Sequence, residues 1–368
     1  MCIRDRQTLL YNKHSQLGAK ISDFAGFEMP ISYSSVNKEH LHVRESLGIF
    51  DVSHMGEIFI SGKNSENLLQ RICSNDISKL IPGMAQYNCM TNFKGGIIDD
   101  LIVYKIEIDK YMLVVNASNI QKDYEWVLSQ NKEFNATIID ESNNYSLLAI
   151  QGPKAIDYCQ NFTNVDLNSM KNFSHSISTF ANCNNILLSK TGYTGSGGLE
   201  IYIPNEYVVN IWDYLFEFNK NKTLMPIGLA ARDTLRIEMG YCLYGNEINE
   251  NTSPIEAGLS WITKPETECI GSEIFKKQIN NGVKKKLVGF KLKNRGIPRS
   301  GYKIYDSRDK EIGITTSGTF SPVLKIGIGL GYINFESLGT VKDIHCLLYT
   351  SDAADEGLGV DLGGRRII

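Results

Sequence analysis

The run Gly95-Gly96-Ile97-Ile98-Asp99-Asp100-Leu101-Ile102-Val103 places two carboxylates inside an otherwise apolar stretch. Extended backbone sends successive side chains to opposite faces, so Asp99 and Asp100 point apart. One can meet solvent; the other must meet the interior or a cleft. An ionised carboxylate buried without partners is costly, so such an acid usually has a use. It can bind an N–H-rich ligand, move protons with a tuned pKa, or serve structurally by capping a turn or meeting a buried arginine. Spacing alone leaves all three open. Two further polar intrusions share this character. Glu200 sits in a strand-like run, 199–203, and Arg232 follows the small-residue approach Gly228-Leu229-Ala230-Ala231. Each could equally be a surface charge or one half of a structural ion pair. Converging with Tyr87, Tyr193 and Trp261, an acid, an arginine and an aspartate would suit a flat heteroaromatic ligand with an anionic tail. Taken singly, those aromatics read as core residues.

Other chemistries find no support. His40 and His42 are two apart, no HExxH exists, and no Cys/His set has zinc spacing, so no metal site is expected. His54, alone between Ser53 and Met55, reads first as a structural hydrogen-bonder. No nucleophile elbow, P-loop or dinucleotide fingerprint is present. Gly195, Gly197 and Gly198 lie between two strands rather than before a helix, which makes a weak phosphate loop. The eight cysteines form no CxxC and read as separate reduced thiols of a cytoplasmic protein. With 42% hydrophobic residues the chain is not disordered, and with 38 basic against 41 acidic residues it is not a dedicated nucleic-acid binder. No apolar run approaches a membrane span, and no secretory segment appears. At 368 residues, two or three domains are expected.

These groups must be positioned by both helices and strands. His14, Leu17 and Ile21 suggest an opening helix, Gly26 and Pro30 a loop, and residues 37–47 a second helix. Alternation then marks a strand over 50–60, followed by a helix at 65–73. Three strands, 86–90, 97–106 and 111–116, come next, with a hairpin turn at Asn92–Gly96. A helix at 119–130 and a strand at 145–150 complete a split βαβ, ferredoxin-like unit with one strand to spare. A second set has strands at 186–190 and 199–203, a helix at 206–218 with one wide apolar stripe, and a short helix at 233–239 opened by Asp233. Short strands dominate after about residue 271: 287–292, 302–305, 312–316 and 326–333, as in a small barrel or Greek-key module. Residues 275–310 carry twelve basic and two acidic side chains. The reading is either a solvated lysine-rich face or a docking surface for an acidic carrier protein. The first six residues, MCIRDR, and the stretch from about Leu347 onward continue no neighbouring periodicity. Both resemble translated adapter sequence and stand outside this fold reading.

Nine ordered motifs carry a resemblance. They are Leu17-Gly18-Ala19-Lys20, Phe50-Asp51-Val52-Ser53-His54-Met55-Gly56, Gly95-Gly96-Ile97-Ile98-Asp99-Asp100, Val114-Val115-Asn116-Ala117, Gln151-Gly152-Pro153, Thr191-Gly192-Tyr193-Thr194-Gly195, Gly228-Leu229-Ala230-Ala231-Arg232-Asp233, Tyr244-Gly245-Asn246-Glu247 and Thr316-Ser317-Gly318-Thr319-Phe320-Ser321-Pro322. From about Thr8 to about Ile344 the chain resembles the glycine cleavage T-protein family of tetrahydrofolate-dependent aminomethyltransferases. The resemblance implies an α+β fold of three domains in a cloverleaf around a central folate site. Its divisions would be a foreign head (1–6), a folate-binding region of two interleaved α+β domains (7–270), a C-terminal β domain (271–346) and a foreign tail (347–368). It implies a lipoylated H protein as partner and tetrahydrofolate as acceptor, with ammonia released and 5,10-methylenetetrahydrofolate formed. By the same resemblance, Asp100 matches the family's key aspartate, with Asp99 the structural member of the pair. Glu200 matches the acid that reads the pterin N–H groups, and Arg232 a folate-site arginine. Met55, Tyr87, Asn116, Tyr193, Tyr241 and Trp261 match wall positions. Two departures stand out. Ser196 and Gly197 replace an acidic residue usual after Thr194-Gly195, and the family's final strand and a C-terminal arginine are expected to be missing. Competing readings are a folate-dependent demethylase of a small amine or sulfonium substrate, and a non-catalytic folate-binding assembly factor.

Overall fold

The computed structural model describes residues 6–338, 343–347 and 358–361. By internal contacts the chain forms two compact units, one of residues 1–69, 77–87 and 101–233, the other of 70–76, 88–100 and 234–368. The fold is mixed α+β.

The first unit opens with β1 (Arg6–Gln7), α1 (Tyr11–Gln16), β2 (Lys20–Phe24) and β3 (Phe27–Ser32), the strands forming a small sheet in the order β1-β3-β2. The opening helix therefore ends before Ile21. Gly18 at φ 74° breaks it, and Leu17 is exposed rather than part of an apolar stripe. Next come α2 (Val36–Glu45), β4 (Leu47–Asp51), β5 (Gly56–Ser61) and α3 (Ser65–Ile72). The Ser35 side chain accepts the Lys38 N–H to cap α2, as an N-cap serine does. Then β6 (Met84–Thr91), β7 (Ile97–Glu107), β8 (Lys110–Val115), α4 (Ile120–Gln130) and β9 (Thr137–Asp140) complete a five-stranded sheet, ordered β6-β7-β8-β5-β9.

Without its edge strand β6, this order is that of a ferredoxin-like sheet, and the pairs β7–β8, β8–β5 and β5–β9 are antiparallel. The expected spare strand exists, but the closing strand is β9 and not the run 145–150. That run is β10 (Tyr145–Gln151), which pairs with β4 and with β13 (Gly198–Pro204) instead. With α5 (Ala155–Cys159), β11 (His175–Phe180), β12 (Cys183–Ser189), α6 (Asn205–Phe218) and β14 (Leu224–Pro226), a six-stranded sheet runs β11-β12-β13-β10-β4-β14. Helix α6 buries Val208, Ile211, Trp212 and Leu215 at helical spacing against Leu148, Ile150, Leu199 and Ile201 of this sheet. Helix α7 (Leu229–Glu238) begins four residues before the expected Asp233, so that acid lies inside the helix and not at its start.

In the second unit α8 (Ser272–Asn281) precedes β15 (Lys285–Leu292), β16 (Lys303–Tyr305), β17 (Glu311–Ser321), β18 (Ile326–Asn334), β19 (Asp343–Leu347) and β20 (Leu358–Asp361). These six strands form the expected barrel, closed in the order β15-β18-β17-β16-β19-β20 around Phe290, Leu292, Ile304, Ile312, Ile333 and Ile344. Strand β20 lies in the stretch set aside as foreign, yet it pairs with both β19 and β15 and closes the barrel. The barrel therefore does not lack a closing strand. Of the expected foreign head only Arg6 is described, paired in β1 with Phe27. The rest of the head and most of the tail lie outside the described residues.

Candidate functional site

Glu200 is fixed by its strand. In β13 it pairs with Ala149 of β10 and Ser189 of β12, and it is buried at the sheet's centre. The Thr191 hydroxyl donates to its Oε2 at 2.5 Å. Behind Thr191 lie the Ser189 hydroxyl at 2.9 Å and the Tyr104 hydroxyl at 3.2 Å, and the Tyr104 oxygen is also 3.0 Å from that of Tyr202. Burial and the nearby Glu200 charge raise the Tyr104 phenol, which stays neutral. His175 meets the Tyr104 ring edge-on at 5.4 Å, and burial lowers its pKa to about 4.

Arg232 stands in the first turn of α7. Its guanidinium lies 4.7 Å over the Tyr193 ring, and its buried Nη1 has no hydrogen-bond partner. Burial depresses its pKa, while the Glu200 charge favours the cation. A stacked guanidinium with a spare donor next to an acceptor-rich acid can orient a planar, polar ligand. His54 is buried with Phe24 edge-on at 5.3 Å, and its Nδ1 has no partner. Burial, and then the Arg232 charge, hold its pKa at about 4, so it is neutral. Met55, half-buried, ends the same turn. Asp51 anchors that turn: it accepts from the Ser53 N–H at 2.9 Å, from Thr8 at 2.7 Å and from the ring of His14 at 2.8 Å. The Tyr33 hydroxyl meets the other His14 nitrogen at 2.8 Å. Burial opposes ionisation of Asp51, but these bonds outweigh it and lower its pKa.

The loop where serine and glycine replace the expected acid is tethered. Arg44 donates to the Ser196 hydroxyl at 2.6 Å and to the Thr194 carbonyl. The Thr194 hydroxyl donates to Gln151, whose amide donates to the Thr191 and Leu199 carbonyls. Tyr87 on β6 and Asn116, which immediately precedes the short 3-10 helix Ala117–Asn119, are both half-buried in this unit.

Asp100, Tyr241 and Trp261 belong to the second unit. Asp99 is fully buried while Asp100 is half-buried, so the two acids of β7 differ as alternation requires. Burial and the Asp100 charge push the Cys89 thiol well up, and burial with Glu247 and Asp100 does the same to Cys242. The Asp-bearing hairpin is seated by the Ile97 N–H, which donates to the carbonyls of Asn249 and Thr252 at 3.1 and 3.0 Å. Tyr241 is held at its backbone: its N–H donates to the Arg236 carbonyl, and Arg236 Nη1 donates to the Tyr241 carbonyl, both at 3.0 Å. Arg236 and Glu247 form a fully buried ion pair. Its Nη2 reaches Ser317 at 2.8 Å, and Glu247 accepts from Thr316 at 2.7 Å. Trp261 sits in the 3-10 helix Ser260–Ile262 and is exposed.

Glu200, Arg232 and Tyr193 are thus brought together. The hydroxyls behind Glu200 are what the sequence reading missed. The i, i+2 spacing of Glu200 and Tyr202 hinted at one of them, but Tyr104 is 85 residues from Ser189 and gave no local signal.

Residues 10–267 match the model of the GCVT N-terminal domain, and residues 285–367 match that of the glycine cleavage T-protein C-terminal barrel domain. An aminomethyltransferase of Flavobacterium psychrophilum is 54% identical, covering 89% of this chain and 91% of that protein. One of Bacteroides fragilis is 47% identical over 91% of this chain and 94% of that protein. The crystal structure of the glycine cleavage system aminomethyltransferase T from Bartonella henselae superposes with a TM-score of 0.90 at 29% identity, covering 99% of this chain and 98% of that one.

Proposed function

We propose that this chain, which belongs to the glycine cleavage T-protein family, moves the methylene carbon of an aminomethyl group from a lipoylated H protein to tetrahydrofolate. The chain is an aminomethyltransferase of glycine catabolism and one-carbon metabolism. The donor and acceptor are the inferred part. The reaction releases ammonia and the reduced lipoyl dithiol and gives 5,10-methylenetetrahydrofolate.

The observation that carries the folate reading is the cluster of Glu200, Arg232 and Tyr193. A buried acceptor, an aromatic face and a guanidinium with an unpartnered buried Nη1 fit a reduced pterin bearing adjacent N–H groups. Glu200 takes the pterin N–H groups and Arg232 supplies its free donor. Met55, Tyr87, Asn116, Tyr193, Tyr241 and Trp261 act as walls for the pterin and aminobenzoyl parts. Asp100 orients the folate and moves a proton as N5 attacks the methylene carbon. A coupled assay with lipoylated H protein and tetrahydrofolate tests this reading. The expected products are ammonia and 5,10-methylenetetrahydrofolate in equal amounts; a chain that forms neither is not this enzyme. A division into three domains and a cytoplasmic location remain part of the same proposal. Among the described residues no helix is long and apolar enough to cross a membrane.

A further inference from the structure

Five contacts connect four hydroxyl groups and one carboxylate behind the candidate folate cluster. They are Thr191 to Glu200 at 2.5 Å, Thr191 to Ser189 at 2.9 Å, Tyr104 to Tyr202 at 3.0 Å, Tyr104 to Ser189 at 3.1 Å and Tyr104 to Thr191 at 3.2 Å. Each hydroxyl has one proton, and an ionised carboxylate has none. Four protons cannot fill five contacts.

Thr191 has the shortest contact, to the carboxylate, and donates to Glu200. Ser189 lies as an acceptor towards both Thr191 and Tyr104, and the contacts of Tyr104 with Tyr202 and with Thr191 can run in either direction. The single Thr191 proton cannot serve both Ser189 and Glu200, and the shorter contact takes it. Ser189 and Tyr104 are fully buried, and Tyr202 and Thr191 are nearly so, which leaves these hydroxyls no solvent to turn to.

We infer that Thr191, backed by the buried hydroxyls of Ser189, Tyr104 and Tyr202, donates to Glu200, positions it and keeps it an acceptor towards the ligand. This rests on the folate reading of the same site and adds its selectivity. The group facing Glu200 must bring N–H donors, and a ring presenting a lone pair there is rejected. Thr191 acts through Glu200 and is a positioning residue.

The test compares Thr191→Val, which keeps shape and loses the donor, with Thr191→Ser, which keeps the donor. KM and kcat for tetrahydrofolate are measured with lipoylated H protein in saturation, and Tm is recorded for each variant. Thr191→Val is expected to raise KM about tenfold with kcat within about twofold, and Thr191→Ser to restore KM to within about threefold of the parent. Tyr104→Phe, one link further back, is expected to raise KM by a smaller factor in the same direction. Equal KM for Thr191→Val and the parent overturns this role of Thr191 and leaves the folate reading intact. A Val variant and a Ser variant that weaken binding equally reduce Thr191 to packing and also overturn it. A parent protein that neither binds nor turns over tetrahydrofolate overturns the folate reading, and this inference falls with it.

Discussion

At the scale of residues, the two acids of β7 separate by burial. Asp99 is sealed inside the second unit and Asp100 remains half-buried. Asp100→Asn keeps size and hydrogen-bonding atoms but removes the charge. It is expected to leave folate binding near normal while kcat falls by about 10²–10⁴, the range of a lost acid–base group. Unchanged kcat would remove Asp100 from the chemistry. Asp99→Asn is expected to act on stability first. Histidine burial makes a second expectation. His175 has a native pKa of about 4 against 6.5 for a free imidazole, because burial disfavours its cation. Between those values the unfolded chain binds a proton that the native one refuses. The stabilising contribution is therefore complete above about pH 6.5, declines as pH falls, and is gone below about 4, a difference of roughly 3 kcal/mol. Urea unfolding of His175→Phe between pH 7 and pH 4 should show a shallower loss of stability than the parent; parallel curves would refute the assignment.

At the scale of elements, the β6–β7 hairpin depends on one missing side chain. A Cβ at Gly96 would stand 1.7 Å from the Glu250 carbonyl oxygen, where backbone must give way. The Gly96 N–H donates to Asn92 Oδ1, and Asn92 Nδ2 in turn reaches that Glu250 carbonyl. Gly96→Ala is expected to cost at least about 3 kcal/mol and to unseat both aspartates. Gly197→Ala, at φ 74° with open space around it, should cost only about 1 kcal/mol. Chemical denaturation of the two variants distinguishes them, and equal losses would defeat the argument. The helix α6 was legible in the sequence because burial imposes a period on it, and the strands β5, β7, β10 and β13 because burial makes them short, largely apolar runs. Strand β9 was missed because it is four residues long and mostly exposed at a sheet edge. Strand β10 was recognised but assigned to the wrong sheet. Nearly continuous burial marks a central strand without naming its neighbours. The same limit applies to the site. Glu200, Arg232 and Tyr193 stood out as motif residues, whereas Tyr104 joins them only through contacts far apart in sequence.

At the scale of the whole molecule, twelve basic against two acidic residues over 275–310 make the barrel unit locally cationic in a nearly neutral chain. Some of that charge is already neutralised, as in the pairs of Lys276 with Glu273 and Lys303 with Glu311. Lys284 is exposed, while the Lys285 ammonium lies 4.7 Å over the Tyr332 ring. Replacing Lys284, Lys285 and Lys286 by glutamine is expected to weaken H-protein binding roughly tenfold at low ionic strength and hardly at all at 1 M salt, where charges are screened beyond about 3 Å. Calorimetric titration at both salts checks this, and equal affinities at low salt would discard the docking surface. The chain also crosses between its two compact units five times, after residues 69, 76, 87, 100 and 233. During synthesis, then, Ile72, Cys73, Cys89, Met90, Ile97 and Ile98 leave the ribosome more than a hundred residues before most of the unit that will enclose them. These apolar groups must wait, uncovered, for the rest of the chain. The second unit is therefore completed only once the segment from residue 234 onward has been made, and a nascent chain that stops short of it is expected to bind a chaperone more than the finished protein does.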